Sequence, residues 1–209
     1  KLPIDFTKSD IDLVNKVKNY TMTSPERIKS LIDATKYILD NKINGSFVEC
    51  GVWRGGSVMV LAYVLKSYAK LDRYFYLYDT FEGMSEPTIF DIDYSSNKAQ
   101  NLLNQNMKDK NNKIWCYSPI EDVKKNISLT GYPIDKINFI KGKVEETLMT
   151  TVPDNIALLR LDTDWYQSTK YELEYLFPKL VKGGVLIVDD YGHWKGAKKA
   201  VDDYFRLKK

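Results

Sequence analysis

The sequence predicts an α/β domain with a largely parallel sheet. Helical and strand-like segments alternate along the chain, with no internal repeat. The run Ile156 to Leu161 is nearly continuously apolar, as expected of a strand covered on both faces.

Ser24-Pro25-Glu26 opens the first well-marked helix. Ser24 suits an N-cap, Pro25 the first helical position, and Glu26 the positive end of the dipole. Ile28, Leu31, Ile32, Ile38 and Leu39 recur at helical spacing, and Asn44-Gly45 closes the region. Phe47 to Val52 reads as the first core strand. Gly55-Gly56-Ser57 then opens a helix with Val58, Leu61, Ala62, Leu65 and Ala69 on one face. Tyr74 to Tyr78 reads as a second strand, ending at Asp79. Residues 80–112 are rich in Asn, Asp, Ser and Lys, with a weak helix near Lys98 to Lys108. A long irregular segment in a compact domain is usually functional or mobile, so 80–112 is a candidate lid, with a surface insertion as the alternative. Ile114 to Tyr117 reads as a strand, and Ser118-Pro119 as the start of a helix over Ile120 to Ile127. Ile137 to Ile140 and Ile156 to Leu161 are further strands. Ser168 is the expected cap of a helix through Phe177. Gly183-Gly184 is read as a turn into a buried strand, Val185 to Val188, ending at Asp189-Asp190. A last amphipathic helix uses Ala197, Ala200, Val201, Tyr204 and Phe205, and no strand pattern follows it.

The composition narrows the function. The chain has 209 residues, 44% hydrophobic and 28% charged, which suits one sizeable core. Thirty-one Lys and Arg against 28 Asp and Glu argue against a dedicated nucleic-acid binder. The Lys-rich end, from Lys195 to Lys209, is interrupted by Asp202 and Asp203 and reads as a solvated helix face. Two separated cysteines, Cys50 and Cys116, and one histidine exclude a Cys/His zinc site and argue against a disulfide framework. A reducing cytoplasm is the expected location. No apolar stretch reaches the roughly 18 residues of a membrane span. The chain begins at Lys1 without a signal-type segment, and we expect a fragment or trimmed chain. The expected organisation is an N-terminal arm over 1–23 and one domain over 24–209. Lys1 to Tyr20 is a partner-contacting arm if the protein is a homo-oligomer.

The chemistry collects where parallel sheets bind ligands, outside the carboxyl ends of the strands. Four predicted ends are acidic: Glu49, Asp79, Asp162 with Asp164, and Asp189 with Asp190. Such carboxylates repel one another unless cations or hydrogen-bond donors separate them. At the first end, Gly51 permits a tight turn, and Gly55, Gly56 and Ser57 present backbone N–H groups at a helix start. The glycines are spaced G-x-x-x-G-G, unlike the dinucleotide pattern G-x-G-x-x-G. This loop suits a nucleoside bearing an amino-acid tail, with Asp79 accepting from ribose hydroxyls. A plain strand–turn–helix is the alternative. The aspartates of the last two ends, without Cys or His, suit a hard divalent cation, Mg²⁺ first. Alternatively Asp190 caps the last helix region and Asp162 binds ribose. His193, after Asp190-Tyr191-Gly192, is either structural or a contact to substrate or to a metal ligand.

Four segments carry a family resemblance: Phe47 to Ser57, Tyr76 to Gly83, Arg160 to Tyr166, and Val188 to Gly192. Together they resemble the macrocin O-methyltransferase family (TylF/MycF type) from about Tyr20 to Phe205. The resemblance implies a Rossmann-like class I methyltransferase fold, with helices on both faces of a mostly parallel sheet. It implies S-adenosylmethionine and Mg²⁺ as cofactors and a sugar or glycoside hydroxyl as acceptor. It assigns Asp162, Asp189 and Asp190 to the metal and Asp164 to the general base. It places Glu49, Gly51, Ser57 and Asp79 at the amino-acid and ribose parts of the cofactor. Ser118 and Asp122 would flank the adenine, and Gly142 to Val144 would close that pocket. The resemblance implies two more strands after the last helix, and the sheet formed by residues 1–209 is expected to be without them. Two other classes stay open: a metal-dependent glycosyltransferase using Asp162-Thr163-Asp164, and a non-catalytic cofactor-binding domain.

Overall fold

A computed structural model describes residues 3–106 and 113–207. Five parallel strands form one sheet in the order β3-β2-β1-β4-β5. They are β1 (Ser46–Cys50), β2 (Phe75–Asp79), β3 (Ile137–Lys141), β4 (Ile156–Leu161) and β5 (Leu180–Val188). The first strand, β1, lies at the centre, so its carboxyl end opens into the middle of the sheet edge.

Side-chain alternation along the strands divides the core in two. Phe47, Phe75, Leu77 and Leu158 face α1 (Lys8–Val17), α2 (Pro25–Asp40), α3 (Gly56–Ser67) and α5 (Ile120–Ser128). Val48, Cys50, Tyr78, Leu159 and Leu161 face α6 (Val144–Thr147), α7 (Tyr166–Tyr175) and α8 (Lys195–Arg206). Every residue of β4 is buried, as its apolar run predicts. Helices therefore cover both faces, as expected of the fold. No helix among the described residues is long and apolar enough to cross a membrane.

The structure corrects several local expectations. The stretch expected as an arm carries α1, whose Thr7 and Asp10 form a capping box and whose Val14 and Val17 enter the first core. Lys113 to Trp115 is a short 3₁₀ turn rather than part of a strand. The Gly183-Gly184 pair lies inside β5: pairing with β4 jumps from Ile156–Leu180 to Leu158–Val185, so the glycines sit in an irregular stretch of strand. Ser168 lies within α7, and the helix starts two residues earlier at Tyr166. The cap comes from elsewhere in the chain, because the Tyr166 N–H donates to Asp91 Oδ1 at 2.7 Å.

That bond ties the 80–112 segment to the domain. Its helix, α4 (Ala99–Gln105), packs Ala99 and Leu103 against Trp165 and Trp194. Ile92 pairs with Lys98, and Asp93 with Trp194. Lys1 and Leu2 of the expected arm, Met107 and Lys108 of the weak helix, the rest of 107–112, and Lys208 and Lys209 of the basic end lie outside the described residues.

Candidate functional site

At the carboxyl ends of the strands lies a cavity of about 500 Å³. Its floor is the turn after β1. Gly51 adopts φ +82°, and a Cβ there would sit 2.0 Å from the Asp162 carbonyl oxygen. Only glycine lets the β1 and β4 exits approach this closely. The turn is then held by Asp79 from β2, whose Oδ2 accepts from the N–H groups of Val52 at 2.7 Å and Trp53 at 3.0 Å. Its Oδ1 accepts from Phe81 N–H at 2.6 Å. Burial raises the Asp79 pKa and these backbone donors counter it. Gly56 admits a second close approach: a Cβ would meet the Tyr20 carbonyl oxygen at 2.5 Å and Thr21 Cβ at 2.6 Å. Tyr20 to Thr23 thus form a wall of the cavity, for which the sequence offered no signal beyond its likeness to the family.

Behind this floor sits a buried ion cluster centred on Arg160. Its Nη1 donates to Glu49 Oε1 at 2.5 Å and to Asp162 Oδ2 at 2.7 Å, and its Nη2 lies 3.0 Å from Asp189 Oδ1. Arg27 Nη1 donates to Asp189 Oδ2 at 2.9 Å. Arg160 faces Glu49 because the two are register partners on β4 and β1. A lone cation inside an apolar strand run is itself a signal, since a buried charge requires a partner. The Glu49 pKa is pushed up to about 7 by burial, against the pull of Arg160. Its Oε2 is buried with no hydrogen-bond partner.

Asp162, Asp164 and Asp190 form the second cluster, with one oxygen from each within 4.8 Å of the others. Asp164 reaches it by leaving strand geometry: its φ is +68°, and Trp165 N–H donates to the Thr163 carbonyl at 2.8 Å. Aspartate tolerates this left-handed conformation better than most residues. The turn thus aims Asp164 where a strand could not. Burial raises the pKa of all three carboxyls; Asp190 raises that of Asp162 further, Asp162 that of Asp164 and Asp164 that of Asp190, while hydrogen bonding to Asp190 pulls Asp164 back down. That of Asp164 is pushed up to about 7. Asp190 Oδ2 is buried and unpartnered.

The sequence-derived residues divide as follows. Gly51, Ser57, Asp79, Gly142, Asp162, Asp164, Asp189, Asp190 and His193 line the cavity. Glu49 lies beneath it. Gly55, Ser118 and Asp122 do not line it. Gly55 holds a left-handed N-cap at φ +84°, packed on Val123 and Ile127 of α5. Ser118 is buried, and Asp122 is exposed in the first turn of α5. His193 packs its ring against Tyr94 and Trp194, with centroids 5.2 and 5.1 Å away. From the 80–112 segment, Gly83, Met84, Ser85, Asp93 and Leu102 reach the cavity.

The raised acids carry a stability consequence. An acid whose folded pKa exceeds its unfolded value holds its proton longer when folded, so stability falls as pH rises between the two. Asp164, at about 7, and Glu172 of α7, buried and pushed up to about 8, are such acids. Acids held low by hydrogen bonds, such as Asp10 and Asp93, act below that range. The metal-free protein is therefore expected to lose melting temperature from about pH 4.5 to about pH 8. A calorimetric profile that is flat or rises over that range contradicts this balance.

A family model described as Macrocin-O-methyltransferase (TylF) matches residues 10–209. The chain belongs to this family. This member of the macrocin O-methyltransferase family is an O-methyltransferase, so Asp162-Thr163-Asp164 does not mark a glycosyltransferase. It is 31% identical to demethyldecarbamoylnovobiocin O-methyltransferase of Streptomyces niveus, over 88% of this chain and 67% of that protein. It is also 31% identical to mycinamicin III 3''-O-methyltransferase of Micromonospora griseorubida, over 82% of this chain and 65% of that one. The chain thus spans about two thirds of the length of these relatives. Among solved structures, the O-methyltransferase NovP superposes with a TM-score of 0.75 at 30% identity, over 90% of this chain and 74% of that one. The calicheamicin methyltransferase CalS11, at 19% identity and a TM-score of 0.67, shares the fold.

Proposed function

We propose that this chain transfers a methyl group from S-adenosylmethionine to a sugar hydroxyl of a glycan or glycosylated metabolite, with Mg²⁺ as the cation. The reading places the protein in the cytoplasm. One observation carries it: three aspartates, Asp190 buried and Asp162 and Asp164 half-buried, converge beside a cavity whose other wall is the Gly51 turn and Asp79. The residues fit both groups. An all-oxygen donor set with an unpartnered Asp190 oxygen suits a hard cation. An unpartnered Glu49 oxygen near the glycine turn suits an ammonium group. Asp79, a carboxylate fixed by three backbone N–H groups at the cavity wall, suits the hydroxyls of a ribose.

In this reading Asp162 and Asp190 hold the cation, with Asp189 beside them. When bound there, the cation would make an acceptor hydroxyl more acidic and the cofactor would supply the methyl group on a sulfonium. Asp164 takes the hydroxyl proton; its oxygen lies within 4.8 Å of one from each of Asp162 and Asp190, so a hydroxyl held there is within its reach. Arg160 and Arg27 hold Asp189 and thereby orient the neighbouring Asp190. The Gly83 to Ser85 stretch and Trp165 narrow the cavity and keep water from the charge that disappears in transfer.

The test is a methyl-transfer assay with S-adenosylmethionine and vicinal-diol sugars, alongside thermal shifts with S-adenosylhomocysteine and Mg²⁺. Both ligands are expected to stabilise the protein, while nucleotide sugars without a methyl donor give no turnover. EDTA is expected to abolish methyl transfer and Mg²⁺ to restore it. Turnover unaffected by EDTA rules out the cation's part.

A further inference from the structure

We propose that Glu172 is a positioning residue for this reaction: its carboxyl grips the Thr163 hydroxyl and so fixes the Asp162–Thr163–Asp164 turn with Asp164 aimed at Asp162 and Asp190. Glu172 lies in the middle of α7 with 0% of its surface exposed. A carboxyl is costly there, and an apolar side chain would pack without that cost. Thr163 Oγ1 donates to Glu172 Oε1 at 2.8 Å, and Oε2 is left buried without a partner. The thiol of Cys50, at the end of β1, is its other polar neighbour.

Thr163 is held from α7 at a second point, since its Oγ1 also lies 2.8 Å from Ser168 Oγ. The Thr163 hydroxyl thus has a carboxyl and a hydroxyl of α7 within hydrogen-bonding distance. These bonds pin the middle residue of the turn. The residue after it, Asp164, sits in the left-handed region, which persists only where the surroundings hold it. The chain from α7 to Thr163 to Asp164 supplies that hold. It presupposes the methyl-transfer role given to Asp164 above, but the pinning of the turn can be measured without it.

The experiment compares Thr163→Val, Glu172→Leu and Glu172→Gln by steady-state kinetics and by amide hydrogen exchange over residues 162–165. Removing the grip is expected to lower kcat by about 10- to 100-fold, the scale of a small misplacement of a reacting group, with KM for the methyl donor little changed. Exchange over the turn rises in the same two variants, while the global unfolding midpoint of Thr163→Val stays near wild type. Glu172→Gln keeps the accepting oxygen and is expected to return most of the rate and the wild-type exchange. Thr163→Val at the wild-type kcat overturns the proposal, as does Glu172→Gln as slow as Glu172→Leu. Should Glu172→Leu fail to fold, Thr163→Val, nearly the same shape, decides alone. If the wild type methylates no sugar, the methyl-transfer reading fails, and unchanged exchange in Thr163→Val then refutes the pinning separately.

Discussion

Asp164→Asn is expected to lower turnover by about 10²- to 10⁴-fold, the usual contribution of a positioned general base. The substitution keeps the shape of the side chain and its tolerance for φ +68°, so the turn survives. It removes only the ability to take a proton. Binding of S-adenosylhomocysteine and Mg²⁺, measured by calorimetry, is expected to stay near wild type because Asp162 and Asp190 remain. Full activity in this variant removes Asp164 from the chemistry. Loss of Mg²⁺ binding with loss of rate moves Asp164 among the cation's ligands, a role its position within 4.8 Å of Asp162 and Asp190 also permits.

Arg160→Met is expected to destabilise the protein by about 3–5 kcal/mol, the cost of breaking a buried pair from one side. The guanidinium is 3% exposed and touches Glu49, Asp162 and Asp189 at once. Its removal leaves those carboxylates with no shared cation. In a chain of this size, 1 kcal/mol moves the melting temperature by about 2–4 °C, so a fall of roughly 10 °C is expected in thermal denaturation. Arg160→Lys should not rescue it, because an ammonium presents no planar fork to three acceptors. A midpoint within error of wild type shows that the cluster does not hold the β1, β4 and β5 exits together.

The parts of the site legible in the sequence share a property: each sits where a strand run stops. Glu49, Asp79, Asp162 and Asp189 follow apolar stretches, so the parallel sheet brings them to one edge without further information. Gly51 and the Gly55-Gly56 pair were legible as turn formers for the same local reason. The way the aspartates stand relative to one another in space was not. Spacing alone makes Asp162 and Asp164 equivalent neighbours, and Asp189 and Asp190 likewise. A left-handed turn at Asp164 and two arginines at Asp189 separate them.

Other features were hidden because their partners are far away in sequence. Arg27 meets Asp189 across 162 positions, and Asp91 caps α7 across 75. The first helix, α1, has few apolar residues, and its membership of the core depends on α2 and α3 being present to receive Val14 and Val17. Ile114 to Tyr117 has strand-like composition, but Lys113 to Trp115 forms a short 3₁₀ turn packed beside Gly83, with Ile114 lining the cavity.

The sequence by itself determined the alternation of elements, the parallel sheet and the acidic edge, since periodicity and chain direction are local properties. Which carboxylates meet, which arginine neutralises them and which buried acid grips the turn were decided by tertiary structure. Electrostatic partnership depends on distance in space, and strand order brings residues more than a hundred positions apart to within hydrogen-bonding reach.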